Sequence, residues 1–221
     1  MNGFSEVIDL SHTLRPGREA RLLEIEQVPA TDVTGTPAEA QWYIMHRVTM
    51  DNHMGTHVEV PYHALEDGAD LAQVPVQQFL GEAVILDLRG YASGEGIPLE
   101  TVQRAAEQAG GIREGDIVFV MTGWSQYYGS DVYMAPPFIT RDAVHWLLSW
   151  GIKILGLDTC GRMNPAVPDR QNHLPLFEAG VLYIENLTNL EAVPKSRVTV
   201  VALPPAVEGL EALPVRVVAL L

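Results

Sequence analysis

The chain is poor in cysteine, in aromatic residues and in positive charge. Its 221 residues include one Cys, 7% aromatics and 14 Lys+Arg against 28 Asp+Glu, for a formal net charge of −14. A single thiol, Cys160, cannot close an intrachain disulfide or build a cysteine-rich metal site. The shortage of bases argues against a nucleic-acid backbone or an anionic membrane surface as partner, since both are held by Lys and Arg. No uninterrupted apolar run reaches about 18 residues, so no membrane-spanning helix is expected. Met1 to Glu6 show no basic stretch leading into an apolar one, so no secretory signal is expected and the chain reads as cytoplasmic. What is plentiful is core material: 47% of residues are hydrophobic and 19% charged. Disorder needs the opposite balance. The length suits residues 1–221 as a single domain around one large core.

Short β-branched runs punctuate the sequence. Val7–Leu10, Ala83–Leu88, Ile117–Met121, Ile152–Leu157, Val181–Ile184, Val198–Ala202 and Val215–Ala219 read as strands. Most are nearly continuous apolar runs, the pattern of strands covered on both faces. The alternating segment Gln41–Met50 reads as a half-exposed strand. Pro98 opens a helix that Gly110-Gly111 stops, and Thr140 caps a second whose apolar face is Val144, Leu147 and Leu148. A third, short helix is expected over Leu71–Leu80, with Pro75 inside it. Polar, proline-bearing loops are expected around Thr31–Ala40 and Met163–Asn172. With strands and helices interleaved, the class is α/β.

The chemistry concentrates between positions 53 and 63, His53-Met54-Gly55-Thr56-His57-Val58-Glu59-Val60-Pro61-Tyr62-His63, which hold three of the seven histidines. Positions 53, 57, 59 and 63 share parity, so an extended chain points all four side chains to one face. Four residues of strand span about 13 Å, whereas a metal holds its ligands at roughly 2.0–2.2 Å. His53 and His57 can therefore share an ion only if the chain bends between them, and Gly55 permits that bend. A helix with the two histidines at i and i+4 is excluded by Gly55, Pro61 and the β-branched residues, and no Glu follows His53 as a protease base. Grouping imidazoles and a carboxylate without a cation would cost solvation, which favours a metal site. Imidazole with carboxylate suits zinc, manganese or iron.

This segment resembles the HxGTHxDxPxH signature of the metal-dependent cyclase family, which includes bacterial kynurenine formamidases and isatin hydrolases. Glu59 stands where the family usually has Asp. Val7–His12, Thr122-Gly123-Trp124, Gly156–Thr159 and Ile184–Leu187 resemble further family segments. Cys160-Gly161 replaces the usual Pro-Ser. The resemblance implies a swivelling β/β/α domain, a mixed sheet or barrel flanked by helices. It also implies His53, His57 and Glu59 on one divalent ion, with Glu59 as bridge joined by His173 and Glu185 on a second. Isatin hydrolases lose the second metal by replacing the late glutamate; Glu185 is retained, which favours two ions. Zinc is expected ahead of manganese. His63 corresponds to the family's general base or proton shuttle, and no organic cofactor is implied. Homodimers or homotetramers are expected, with the segment Arg15–Glu39 as a candidate arm.

The implied activity is hydrolysis of an amide or N-formyl C–N bond in a small substrate. Metal lowers the pKa of water and polarises the carbonyl, while His63 moves the proton to the leaving nitrogen. Two alternatives stand beside it: ring opening of a lactam such as isatin, or a cyclase or dehydratase step on a polyketide-like substrate. A third is a non-catalytic metal or small-molecule binder whose geometry Glu59 has altered. Other polar candidates have plainer readings: Cys160 as packing, His145, His12 and His46 as structural or surface residues, and Asp158 as either a turn or a site residue. Trp42, Tyr62, Trp124, Tyr127 and Tyr128 are candidates for an aromatic pocket wall.

Overall fold

The computed structural model describes residues 4–29, 35, 44–161, 166 and 169–221, the side chains of 169–172 excepted. Its strands are β1 (Val7–Asp9), β2 (Leu23–Val28), β3 (Met45–Met50), β4 (His57–Glu59), β5 (Leu80–Asp87), β6 (Gly96–Ile97), β7 (Ile117–Met121), β8 (Phe138–Ile139), β9 (Ile154–Leu157), β10 (Leu182–Glu185), β11 (Arg197–Val201), β12 (Ala212–Pro214) and β13 (Val218–Leu220). Nine of them form one mixed sheet in the order β1-β13-β11-β5-β7-β9-β10-β4-β12. The central four, β5-β7-β9-β10, are parallel, and antiparallel strands extend the sheet on either side.

Parallel neighbours need crossovers, and helices supply them. Helix α1 (Leu99–Gln108) falls between β5 and β7, α2 (Arg141–Leu148) between β7 and β9, and α3 (Asp169–Glu178) between β9 and β10. Each helix turns an apolar stripe inward: Val102, Ala105 and Ala106 from α1, Ala143, Val144 and Leu147 from α2, Leu176 and Phe177 from α3. These stripes cover one face of the sheet, where Leu86, Val118, Val120, Leu155 and Tyr183 meet them. The alternate residues Ala83, Ile85, Ile117, Phe119, Ile154 and Ile184 fill a second core on the other face. The continuous apolar runs arise because these strands are buried on both sides.

That second core also collects Leu10, Val200 and Ala219 from one end of the sheet and Val58 from the other. Residues from opposite ends share a core only because the sheet curls, and the nine strands make a half-barrel. A bridge between Ser11 and Leu187 ties the chain beyond β1 to the chain beyond β10. The expected mixed sheet or barrel flanked by helices is therefore the fold observed. Strands β2 and β3 form a separate two-stranded ribbon, largely exposed.

Several local expectations need correction. No α-helix forms over Leu71–Leu80: Pro75 holds an extended conformation, only a 3₁₀ turn follows at Val76–Phe79, and β5 begins at Leu80. The stretch expected as a loop to Asn172 is helical from Asp169, with Pro175 inside α3. Thr140 stands at the N-cap of α2, but its side chain makes no capping hydrogen bond. Strand β13 starts at Val218, later than expected, because the residues before it bond outside any strand: Val215 N donates to the Thr56 carbonyl and Val217 N to Ser11 Oγ. Trp42 lies outside the described residues, as does part of the expected arm Arg15–Glu39.

Candidate metal centre

The centre forms where β4 runs antiparallel between β10 and β12. On β4, Val58 points into the inner core, so His57 and Glu59 take the opposite face. Parity on β10 does the same: Leu182 and Ile184 point inward, leaving Glu185 beside its cross-strand partner His57. The bend expected before β4 is present. Gly55 has φ +54°, and a Cβ there would stand 2.3 Å from Leu14 Cδ2, so the position both needs and admits glycine. His63 arrives by a different route from the extended chain anticipated, because Pro61 starts a 3₁₀ turn, Pro61–His63, that folds it back over the strand. Helix α3 contributes His173 from above.

The five ligand candidates and His63 are brought together. Glu59 Oε1 lies 2.8 Å from His53 Nδ1, 3.4 Å from His57 Nε2 and 4.0 Å from His63 Nε2. The ligand atoms of His53, His57 and Glu59 fall within 4.8 Å of one another, and so do those of Glu59, His63 and His173. Glu185 stands 3.7 Å from His57 Nε2 and 3.9 Å from His173 Nε2. His63 thus lies among the ligands rather than apart from them.

Three buried atoms in this group, His57 Nε2, Glu59 Oε2 and His173 Nε2, have no hydrogen-bond partner. Leaving a buried polar group unpaired costs about 1–3 kcal/mol, more for a charged one. They gather around Glu59 from two elements, β4 and α3, which is what a cation accounts for. Tautomer geometry agrees: His57 donates from Nδ1 to the Gly55 carbonyl at 2.9 Å and presents Nε2 to the cluster. Asn186 donates to the same carbonyl at 2.8 Å and accepts from the Tyr133 hydroxyl at 2.7 Å. The donor set therefore fits a divalent metal such as zinc.

Electrostatics point the same way. Burial opposes the charge on Glu59, but the His53 and His57 imidazoles beside it, 2.8 and 3.4 Å away, hold its carboxyl well below the usual range. Burial likewise opposes a proton on His57, and Glu59 and Glu185 outweigh it to raise that pKa. His63 is lowered, by burial first and then by His53 and His173 nearby, against the pull of Glu59.

The cluster lines a cavity of about 760 Å³, large enough for a small organic molecule. Tyr128 and Cys160 line it, while Trp124 packs in the interior with its Nε1 donating to the Tyr133 carbonyl. Tyr62 and Tyr127 are not among the lining residues. Asp158 is a clamp: its carboxylate accepts from Thr122 N, Thr122 Oγ1 and Gly123 N, tying the end of β9 to the end of β7. Burial pushes its pKa up to about 6 against those hydrogen bonds. His12 stacks on Tyr128 at 3.9 Å between ring centroids, and His46 and His145 lie on the surface. Two residues escaped the sequence reading. Tyr133 lines the cavity from a 3₁₀ turn at Asp131–Met134 that no periodicity announces. Glu211, just before β12, lies 3.2 Å from His53 Nε2, and nothing in its own neighbourhood marks it as a ligand or a support.

The model of the cyclase family matches residues 8–162. The chain belongs to the cyclase family. Among curated relatives, the chain is 28% identical over 201 residues to a kynurenine formamidase of Erythrobacter litoralis, covering 89% of this chain and 85% of that protein. It is 22% identical to an isatin hydrolase of Roseibium aggregatum, over the whole of this chain and 93% of the relative. Among solved structures, isatin hydrolase A from Labrenzia aggregata superposes with a TM-score of 0.83 at 26% identity, covering 98% of this chain and 93% of that one. The resemblance read from the histidine segment is borne out, and the protein is a hydrolase whose site suits a divalent metal. Among the described residues no helix is long and apolar enough to cross a membrane.

Proposed function

We propose that this protein hydrolyses a C–N bond of a small amide, an N-formyl aromatic amine foremost, in one domain spanning residues 1–221. The observation that carries the reading is the convergence of His57 Nε2, Glu59 Oε2 and His173 Nε2, buried and unpartnered, at the wall of a cavity of about 760 Å³. His53, His57 and Glu59 hold one divalent ion, with Glu59, His173 and Glu185 holding a second, zinc ahead of manganese. When bound, such an ion supplies Lewis acidity that activates water and polarises a carbonyl. The protein's own part is positional. Side chains from β4, β10 and α3 fix the reacting centre on rigid elements at the cavity wall. His63, with its side chain 29% exposed, sits between cluster and cavity, where it takes a proton from the attacking water and returns it to the leaving nitrogen.

Lactam ring opening is the second reading, favoured by the superposition on isatin hydrolase A. The deciding assay measures turnover of N-formylkynurenine and of isatin with Zn²⁺ and with Mn²⁺, alongside metal content, for the parent protein and His63→Ala. The proposal expects faster turnover of the formyl amide, and a loss of about 10²–10⁴-fold in the variant with metal retained. Preference for isatin moves the assignment to the second reading. Stoichiometric metal with no turnover of either makes the protein a binder. We further propose a homodimer or homotetramer, supported by the exposed apolar pair Ile25 and Val48, directly opposed on the β2–β3 ribbon. Light scattering measures that state.

A further inference from the structure

We propose that Glu211 is a positioning residue for the metal centre: it fixes the His53 imidazole with its proton on Nε2 and Nδ1 turned to the cluster. This rests on the reading that the cluster binds a divalent ion.

His53 has a carboxylate on each side. Glu59 Oε1 lies 2.8 Å from Nδ1 and Glu211 Oε1 lies 3.2 Å from Nε2. A neutral imidazole carries one N–H and donates to one of them only. The two sides are unlike. Glu59 is 2% exposed, and its Oε1 is also the near neighbour of His57 Nε2, so Nδ1 faces the interior of the ligand group. Glu211 stands at the rim with 28% of its side chain exposed, and Nε2 faces it there. His53 and His57 thus meet the cluster by opposite ring nitrogens. His57 is oriented by a main-chain carbonyl at its Nδ1, His53 by a carboxylate at its Nε2.

Glu211 is itself held. Asn52 Nδ2 donates to its Oε1 at 2.7 Å, and its own carbonyl accepts from Val60 N at 2.9 Å. The next residue, Ala212, pairs with Glu59 in the β12–β4 register. A late strand therefore places one carboxylate against the first histidine of the motif, with its partner Asn52 supplied from beside that histidine. Carboxylate-oriented histidine ligands are a recurrent device, and losing the outer partner typically lowers metal affinity 10- to 100-fold.

The test compares the full-length parent with Glu211→Ala and Glu211→Gln. Zn²⁺ affinity is measured by chelator competition, and the imidazole protons of the zinc-loaded proteins by long-range ¹H–¹⁵N correlation. The proposal expects the parent to show His53 protonated on Nε2, Glu211→Ala to lose about 10–100-fold in affinity, and Glu211→Gln, whose side-chain oxygen still accepts, to recover most of that loss. Parent-like affinity in Glu211→Ala overturns it. So does an equal loss in both variants, which marks Glu211 as a ligand or a charge rather than an orienting acceptor. A parent His53 protonated on Nδ1 overturns it as well. Absence of zinc binding by the parent is a separate result, read before any variant, and refutes the metal reading itself.

Discussion

Glu59 is where this chain departs from the signature of its family, and Glu59→Asp measures whether the site is built around the longer side chain. Removing one methylene withdraws the carboxylate by about 1.5 Å, one carbon–carbon bond. The contacts at stake are 2.8 Å to His53 Nδ1 and 3.4 Å to His57 Nε2, and both side chains are anchored from outside the cluster, by Glu211 and by the Gly55 carbonyl. Metal sites tolerate departures of only about 0.2 Å in ligand distance, so the retreat exceeds the tolerance several times over. The expected loss is at least about tenfold in Zn²⁺ affinity, or ~1.4 kcal/mol. Metal-free stability should change less: one buried methylene is worth about 0.8 kcal/mol, a shift of ~2–3 °C for a chain of this size. Chelator competition reads the first quantity and calorimetry of the metal-free protein the second. A variant that binds zinc as tightly as the parent, or tighter, refutes the reasoning. It would mean that the surrounding imidazoles still sit where a shorter carboxylate reaches them.

Three further outcomes are expected. Gly161 has φ +68°, and a Cβ there would stand 1.6 Å from Glu185 Oε1; Gly161→Ala should displace that carboxylate and lower bound zinc from two equivalents toward one, whereas two retained equivalents would remove Glu185 from the ligand set. Burial lowers the pKa of His12 to about 4, with Glu19 opposing and Arg15 adding. The unfolded chain, titrating near 6.5, then binds more protons than the folded one between those values, so this contribution to stability is present at pH 7 and lost as pH falls from about 6.5 to about 4. Relative to the parent, His12→Phe should gain ~1 kcal/mol in urea unfolding between pH 7 and pH 5, after discounting a full-burial figure of ~2 kcal/mol for partial exposure; an unchanged difference counts against it. Arg18 and Arg21 line the cavity and, among the described residues, neither forms an ion pair. Replacing both with Ala should raise KM about 10–100-fold for formyl amides bearing a carboxylate, in line with the worth of a hydrogen bond to a charged group, and leave uncharged ones unchanged. Equal effects on both substrates would deny these arginines a charge-reading role.

The parallel centre of the sheet was legible because burial on both faces writes itself as runs such as Ile117–Met121, and α1 was legible because Pro98 and Gly110 bracket it. Elements stabilised chiefly by partners were not. Strand β12 is three residues long, ends in proline and exists by pairing with β4. Helix α3 carries Pro175, so local propensity speaks against a helix that Leu176 and Phe177 secure by packing into the core. At the site, spacing pointed to His53, His57, Glu59 and the bend at Gly55, since all depend on neighbours in sequence. The approach of His173 and Glu185 came from family likeness alone. Glu211 could not be found either way, because its place depends on the register of β12 against β4 and on nothing adjacent to it.

That register also sets an order of events during synthesis. Strand β4 leaves the ribosome early, yet both strands that flank it, β10 and β12, are made only after residue 181. Until then the histidine segment has nothing to pair with, and of its carboxylate partners only Glu59 exists, Glu185 and Glu211 being still to come. Long-range pairings of this kind form late, so a nascent chain offers metal ions only a loose set of imidazoles, of low affinity and little discrimination. Selection of the ion therefore falls to the finished enzyme, and the cellular pool it meets after folding, rather than during translation, decides which metal it carries.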